Sequence, residues 1–415
     1  MARLLLLGGS NSQINAVKKA KQKGHTVIVT DYFADAPGKE FSDFSEMVST
    51  FDSEGCLEVA RKYKVDGILT VGTDQPVLTC AKVACELGLP TFIDIVTAKA
   101  VTNKRVMKSK FTDNGIPTPQ YRLLKNSFAD HELDGIRFPV VIKPLDSQGQ
   151  RGVYKLDAVG DIRNFFQDVL NYSREKEILV EEYYDSDEIT LSGWVHDGTV
   201  YILTITDRIS MKNYPHIGIC VAHDFPSRYL HEYYKEIKDL TEQIVEVFGI
   251  KNGPIYFQML IGGAGIMVNE IACRIGGAYE DELIPALTGI NILDMLIKEA
   301  AGEIIDYSAL EKFDFLNIKE KASVEMFFIK EGIIDSMSDM EKIKEQPGVI
   351  SGKLNFKLGS YVKKIENATQ RAGYMIITGK NRDELRENIR NAYKNLKICN
   401  SARENMIMSF RGICL

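Results

Sequence analysis

Leu4, Leu5, Leu6 and Leu7 form an unbroken apolar run that stops at Gly8-Gly9-Ser10. A short run of this kind, closed by glycines, predicts a buried strand followed by a turn. Residues 14–23 carry helix-forming side chains and stop at Gly24, which predicts a helix. Residues 25–30 are rich in β-branched side chains and form the next expected strand. A helix over 54–64, a strand over 67–71 ending in Gly72-Thr73-Asp74, and a helix up to Leu87-Gly88 continue the alternation. Strand and helix alternating at this spacing specify a parallel sheet covered by helices.

Beyond Phe111 the pattern changes. Gly115-Ile116-Pro117-Thr118-Pro119 reads as a linker. Strand patterns follow at 138–143, 152–156, 178–183, 189–196 and 200–206, and His196-Asp197-Gly198 is a hairpin-turn signal. Few helical patterns intervene, which predicts mixed antiparallel α+β structure. An amphipathic helix is expected over 233–248. Strands at 255–261 and 265–271 are joined by Gly262-Gly263-Ala264-Gly265, and helical patterns return at 291–300. A last segment, about 322–398, alternates strands with a helix at 382–396. The expected organisation is an α/β domain at 1–96, a two-part α+β domain at 97–318 and an α+β domain at 319–415.

Bulk properties narrow the class. A chain of 415 residues suggests about two to four domains. The formal charge of -6 and the absence of a long basic run argue against a nucleic-acid surface. No apolar stretch reaches membrane-spanning length. The 7 cysteines include no CxxC pair, which fits reduced thiols in a cytoplasm.

Four segments carry candidate chemistry. In Pro139-Val140-Val141-Ile142-Lys143-Pro144 a strand delivers one lysine at its end, and Ser147, Gly149 and Gly152 follow. Glycines let backbone N–H groups approach an anion, and a lysine adds a point charge. The lysine precedes the glycines and no helix follows, so this is not a Walker A loop. Lys104 lies in an expected helix capped by Thr97, where by itself it reads as a solvated lysine. Ile178-Leu179-Val180-Glu181-Glu182-Tyr183 ends in carboxylates, with Glu188 further on; alone this is an acidic surface loop. Gln258 precedes Asn269-Glu270-Ile271-Ala272-Cys273-Arg274-Ile275-Gly276-Gly277, and its separation from Glu270 across a tight turn can place both side chains on one face. Glu270 suits Mg²⁺, and Arg274 suits an anionic oxygen. The plain alternative is a buried Glu270–Arg274 ion pair. Cys273 reads as packing.

In this order the segments resemble the ATP-grasp superfamily, over about residues 1–300, and the tail from Ala368 onward is similar to the small closing domain of the biotin carboxylase and glycinamide ribonucleotide synthetase branches. The resemblance implies two subdomains gripping ATP, a preceding α/β domain and a lid-like C-terminal domain. It implies that Lys104 and Lys143 contact ATP phosphates and that Ser147, Gly149 and Gly152 belong to the loop over them. Glu181, Glu182 and Tyr183 match the adenine hinge, and Glu188 matches the ribose ligand. Glu270 matches the central Mg²⁺ carboxylate (Mn²⁺ being the alternative ion), with Gln258 as its neighbour, and Arg274 matches the arginine near the acyl phosphate. Gln258 stands where the family has Glu or Asp, which leaves one or two metal ions open.

The activity implied is carboxylate–amine ligation through an acyl phosphate, releasing ADP and phosphate, in the cytoplasm, with a homodimer suggested. The acid and the amine stay open. The purine-biosynthetic ligases are the alternative within enzymes. Gln258 also keeps open a nucleotide-binding regulatory module without turnover. Gly8-Gly9-Ser10-Asn11 lacks the GxGxxG spacing of a dehydrogenase. Asp207, Arg208 and the stretch Tyr214-Pro215-His216-Ile217-Gly218 could line the acyl site, whereas His216 and His223 read as structural.

Overall fold

The computed structural model describes residues 1–211 and 215–411. Tyr214 of the stretch just named lies outside them.

Four parallel strands open the chain, in the order Phe44–Glu46, Thr26–Thr30, Arg3–Leu7 and Gly67–Leu69. Leu4 to Leu7 are fully buried because helices cover both faces of this sheet, which is why the run is continuous rather than alternating. Helices Ile14–Gln22, Ser53–Tyr63 and Pro76–Leu87 fall where the pattern puts them. Ser53–Tyr63 ends on Lys64 in the left-handed region, and Pro76–Leu87 ends on Gly88 likewise.

A second sheet is antiparallel, in the order Tyr121–Lys125, Glu177–Glu182, Val140–Pro144 and Tyr154–Leu156. Helix Val159–Leu170 packs on it through Ile162, Phe166 and Val169. The sequence pattern missed this helix, whose apolar positions recur at helical spacing but sit between two short strands.

The third sheet has eight strands. Gly265–Ala272, Gly253–Gly262, Ser186–His196, Thr199–Ser210 and Cys220–Phe225 come first. Lys321–Phe327, Gly373–Gly379 and Val349–Leu354 continue it. The C-terminal part therefore extends the central sheet through the antiparallel pairing of Cys220–Phe225 with Lys321–Phe327. The turn between Ser186–His196 and Thr199–Ser210 has Asp197 and Gly198 both at positive φ, 48° and 78°, the geometry of a two-residue hairpin loop.

Two local expectations change. The helix expected across 97–108 is two helices, Ile95–Thr102 and Lys104–Asp113. Asp94 rather than Thr97 caps the first, accepting from the Thr97 amide at 2.8 Å. Asn103 is extended, and its side chain accepts from the Arg105 amide at 3.0 Å, so it ends one helix and starts the next. The segment 115–119 is no free linker. Ile116 is buried, the Val268 amide donates to the Pro117 carbonyl at 2.7 Å, and the Thr118 hydroxyl donates to the Val268 carbonyl at 2.8 Å. Among the described residues no helix is long and apolar enough to cross a membrane.

Candidate active site

A cavity of about 1430 Å³ opens between the three sheets. It is lined by strand ends of the first sheet, by both α+β sheets, and by a few residues of the C-terminal part. All twelve residues singled out above, apart from Gly152, line it: Lys104, Lys143, Ser147, Gly149, Glu181, Glu182, Tyr183, Glu188, Gln258, Glu270 and Arg274. Gly152 sits at the base of the loop instead.

Breaking the helix at Asn103 places Lys104 on its first turn, where it is only 7% exposed. Its amide donates to the Leu145 carbonyl at 2.9 Å, and its ammonium reaches Glu270 at 3.0 Å and the Ser147 carbonyl at 3.2 Å. It is thus a buried group and not a solvated lysine. Burial favours its neutral form, but Glu270 more than offsets this and raises its pKa. Gln258 and Glu270 stand directly opposite each other on paired strands, as their spacing allowed. Glu270 would be raised by burial, but Lys104, Lys143 and Arg274 hold it ionised. Arg274 does not pair with Glu270. It bonds Asp74 at 2.6 Å and lies over the Tyr256 ring at 4.5 Å from the centroid. Asp74 belongs to the strand-end turn of the first sheet, whose Gly72 amide also donates to the Ile275 carbonyl at 3.1 Å. A Cβ on Gly277 would stand 2.7 Å from the Gly72 carbonyl oxygen, so a glycine there lets the two backbone segments meet.

Lys143, at the end of its strand, donates to Asn269 at 3.0 Å and pairs with Glu181. Glu181 also binds Lys108, at 2.5 Å, and Lys108 donates to the Thr118 hydroxyl at 2.6 Å. Burial would raise the Glu181 carboxyl, yet the two ammonium groups hold it at about 2. Burial pushes Lys108 down to about 8 against the pull of Glu181. Glu182 is likewise engaged, accepting from Arg137 at 2.7 Å and from the Arg137 amide at 2.9 Å. Both carboxylates expected at the hinge are therefore committed to cations. The Tyr183 ring lies under the Lys155 ammonium, 3.6 Å from the centroid.

Glu188 pairs with Arg208 at 2.5 Å, and Arg208 also donates to the Gly218 carbonyl at 2.7 Å. Alternation along the strand separates the two residues expected together: Arg208 lines the cavity, whereas Asp207 turns away to accept from Ser227 at 2.6 Å and Arg228 at 3.1 Å. His216 and His223 both line the cavity, and burial lowers both. His223 bonds Thr206 at 3.0 Å within the sheet. Cys273 is fully buried, its thiol pushed up to about 12 by burial, as expected of a packing residue.

The glycine loop is anchored on both sides. The Gln148 side-chain oxygen accepts from the Asp74 amide at 2.7 Å, and the Gly149 carbonyl accepts from the Ala368 amide at 3.2 Å. Gly149, Gln150 and Gly152 have φ of 70°, 61° and 69°. The buried Ser147 hydroxyl has no partner, as a donor waiting for an anion would. The buried Gln258 oxygen also has none. An unpartnered amide oxygen opposite an ionised carboxylate is an oxygen set that suits a hard cation such as Mg²⁺. Among the described residues no three His, Cys, Asp or Glu side chains converge, so such an ion would take its remaining ligands from phosphate and water.

Residues 136–282 match the model of the ATP-grasp domain, and residues 325–399 match the L-amino acid ligase C-terminal domain 2. Dapdiamide A synthase of Enterobacter agglomerans is 23% identical over 316 residues, 72% of this chain and 71% of that protein. Carbamoyl-phosphate synthase of Methanobrevibacter smithii is 24% identical over 184 residues, 43% of this chain, and the match spans about half of that relative, 48%. The crystal structure of L-amino acid ligase from Bacillus licheniformis superposes with a TM-score of 0.81 at 19% identity, covering 97% of this chain and 99% of that one. That likeness is one of fold. Residues 136–282 thus carry an ATP-grasp domain and residues 325–399 an L-amino acid ligase C-terminal domain, the parts of an ATP-grasp ligase.

Proposed function

We propose that this chain activates a carboxylate as an acyl phosphate with ATP and joins it to the amino group of an amino acid. The observation that carries this is the buried Lys104–Glu270 pair beside Lys143 and Arg274, in a cavity lined from the first sheet to the C-terminal part. The match of the C-terminal part to an L-amino acid ligase domain supports an amino acid as one partner. The regulatory-module reading gains no support from any match.

In this reading Lys104 and Lys143 bind the phosphates, and Ser147 with the loop around Gly149 and Gly152 covers them. Glu270 and Gln258 would hold Mg²⁺, which supplies charge neutralisation at the transferring phosphoryl group. Such transfer depends on positioning and electrostatics rather than on a covalent side chain. Arg274, fixed by Asp74 and stacked on Tyr256, is oriented to hold the oxygens of the activated acid. Tyr183 and the hinge backbone take the adenine, and Glu188 the ribose. A closed loop excludes water from a labile acyl phosphate.

The test is ADP release with Mg²⁺ and ATP across pairs of L-amino acids and small acids. Turnover that requires both an acid and an amine, with one amide formed per ADP, supports the reading. ADP release that needs no amine sinks it. Gln258→Glu restores a second carboxylate opposite Glu270. Its Mg²⁺ requirement is expected to fall about 10-fold, since ligand charge sets cation affinity. A magnesium titration that does not move would remove Gln258 from the metal site.

A further inference from the structure

Among the described residues that line the cavity, Arg174, Arg208, Arg228 and Arg274 each pair with a carboxylate, whereas Arg151 and Arg371 do not. Arg151 rides on the glycine loop, where its Nε donates to the Gln148 carbonyl at 3.2 Å. Arg371 comes from the C-terminal part and reaches across to the Arg274 segment. Its Nη1 donates to the Gly277 carbonyl at 3.4 Å, a long bond, and its Nε is buried without a partner. The Asn355 side chain donates to the Arg371 carbonyl at 3.1 Å, and its own Oδ1 is buried and unpartnered. The Tyr279 phenol lies against both side chains. Tyr279 itself has φ of 62°, a conformation a tyrosine adopts only when its surroundings impose it, and its ring stacks on Tyr374 at 3.4 Å. Glu280 is the buried acid of this corner. It accepts the Ala278 amide at 3.0 Å and forms no ion pair with Arg371.

A buried guanidinium edge without an acid, beside an unpartnered amide, is a site short of one anion. We propose that Arg371, with Asn355 and Tyr279, binds the spectator carboxylate of the amine-bearing substrate, so that the nucleophile is a free α-amino acid. This rests on the ligase reading given above. One arginine in no ion pair, with Asn355 and Tyr279 beside it, matches a singly charged carboxylate. A phosphate monoester carries about two charges and asks for more cations than this corner holds.

The test uses the full chain with Mg²⁺ and ATP, comparing L-amino acids with their carboxamides as nucleophile. Wild type is expected to prefer the free acid. In Arg371→Gln the KM for the free amino acid rises about 10- to 100-fold, the KM for ATP stays, and the preference over the carboxamide is lost. Arg371→Lys recovers part of it. Unchanged KM for the nucleophile in Arg371→Gln, or equal use of acid and carboxamide by wild type, overturns the proposal. A thermal-shift series on protein loaded with a non-hydrolysable ATP analogue separates this from failure of the ligase reading. Should no pair turn over, an L-amino acid that stabilises wild type but not Arg371→Gln still upholds the pocket. Equal stabilisation of both, or stabilisation by phosphorylated amines in place of amino acids, refutes it.

Discussion

In the Glu270→Gln variant, acid- and amine-dependent ADP release is expected to fall about 10²- to 10³-fold in kcat, the usual loss when one charged contributor to a pre-organised site is removed. Glutamine keeps the volume and still accepts from Lys104, now 3.0 Å away. The fold therefore survives and the charge alone is lost. The site would then carry Lys104, Lys143 and Arg274 around two neutral amides, and a metal ion would have no carboxylate to bind. The apparent Mg²⁺ requirement should rise together with the loss of kcat. Steady-state ADP release over a magnesium titration checks both. A variant within about threefold of wild type would show that Glu270 serves only as the counter-ion of Lys104.

The second large effect concerns stability. Glu181 is the shared partner of two lysines, Lys108 and Lys143, with Lys108 fully buried. Glu181→Ala strands both charges, and breaking a buried pair by removing one partner costs about 3–5 kcal/mol. Adding Lys108→Met is expected to recover roughly 0.5–3 kcal/mol, because the residues are coupled. Urea unfolding followed through Trp194, the single tryptophan and fully buried, reports both. The same carboxylate sets a pH window. Its folded pKa, held at about 2, lies below the ordinary 4.5. Its contribution is therefore complete above pH 4.5 and is lost as the pH falls from there toward 2. Glu181→Gln should flatten that limb of the stability profile. An unchanged acid limb would mean the carboxylate is not clamped as its neighbours suggest.

Much of this was legible in the chain. Strand-end residues such as Lys143 and Glu181 follow from the apolar runs that precede them, and the pairing of Gln258 with Glu270 follows from a tight turn and a period of two. The partners of those residues were harder to read. Lys108 stands four residues after Lys104, on the same helix face, and its lack of solvent exposure depends on strands far along the chain. Arg274 meets Asp74 from 200 positions away, so local reading could offer only Glu270 as an ion-pair partner, beside the anionic oxygen of a ligand. Arg371 carries no local signal, because only the continuation of the central sheet into the C-terminal part brings it to the cavity. The break at Asn103 was hidden for another reason: the flanking residues all favour helix, and one side-chain cap decides the matter.

Activation through an acyl phosphate turns on one bond, between an oxygen of the substrate carboxylate and phosphorus. With a working acid–amine pair and the carboxylate labelled with ¹⁸O, the released phosphate should carry one ¹⁸O per turnover, measured by mass spectrometry. Phosphate that carries only unlabelled oxygen, at the same rate of amide formation, would contradict activation through an acyl phosphate.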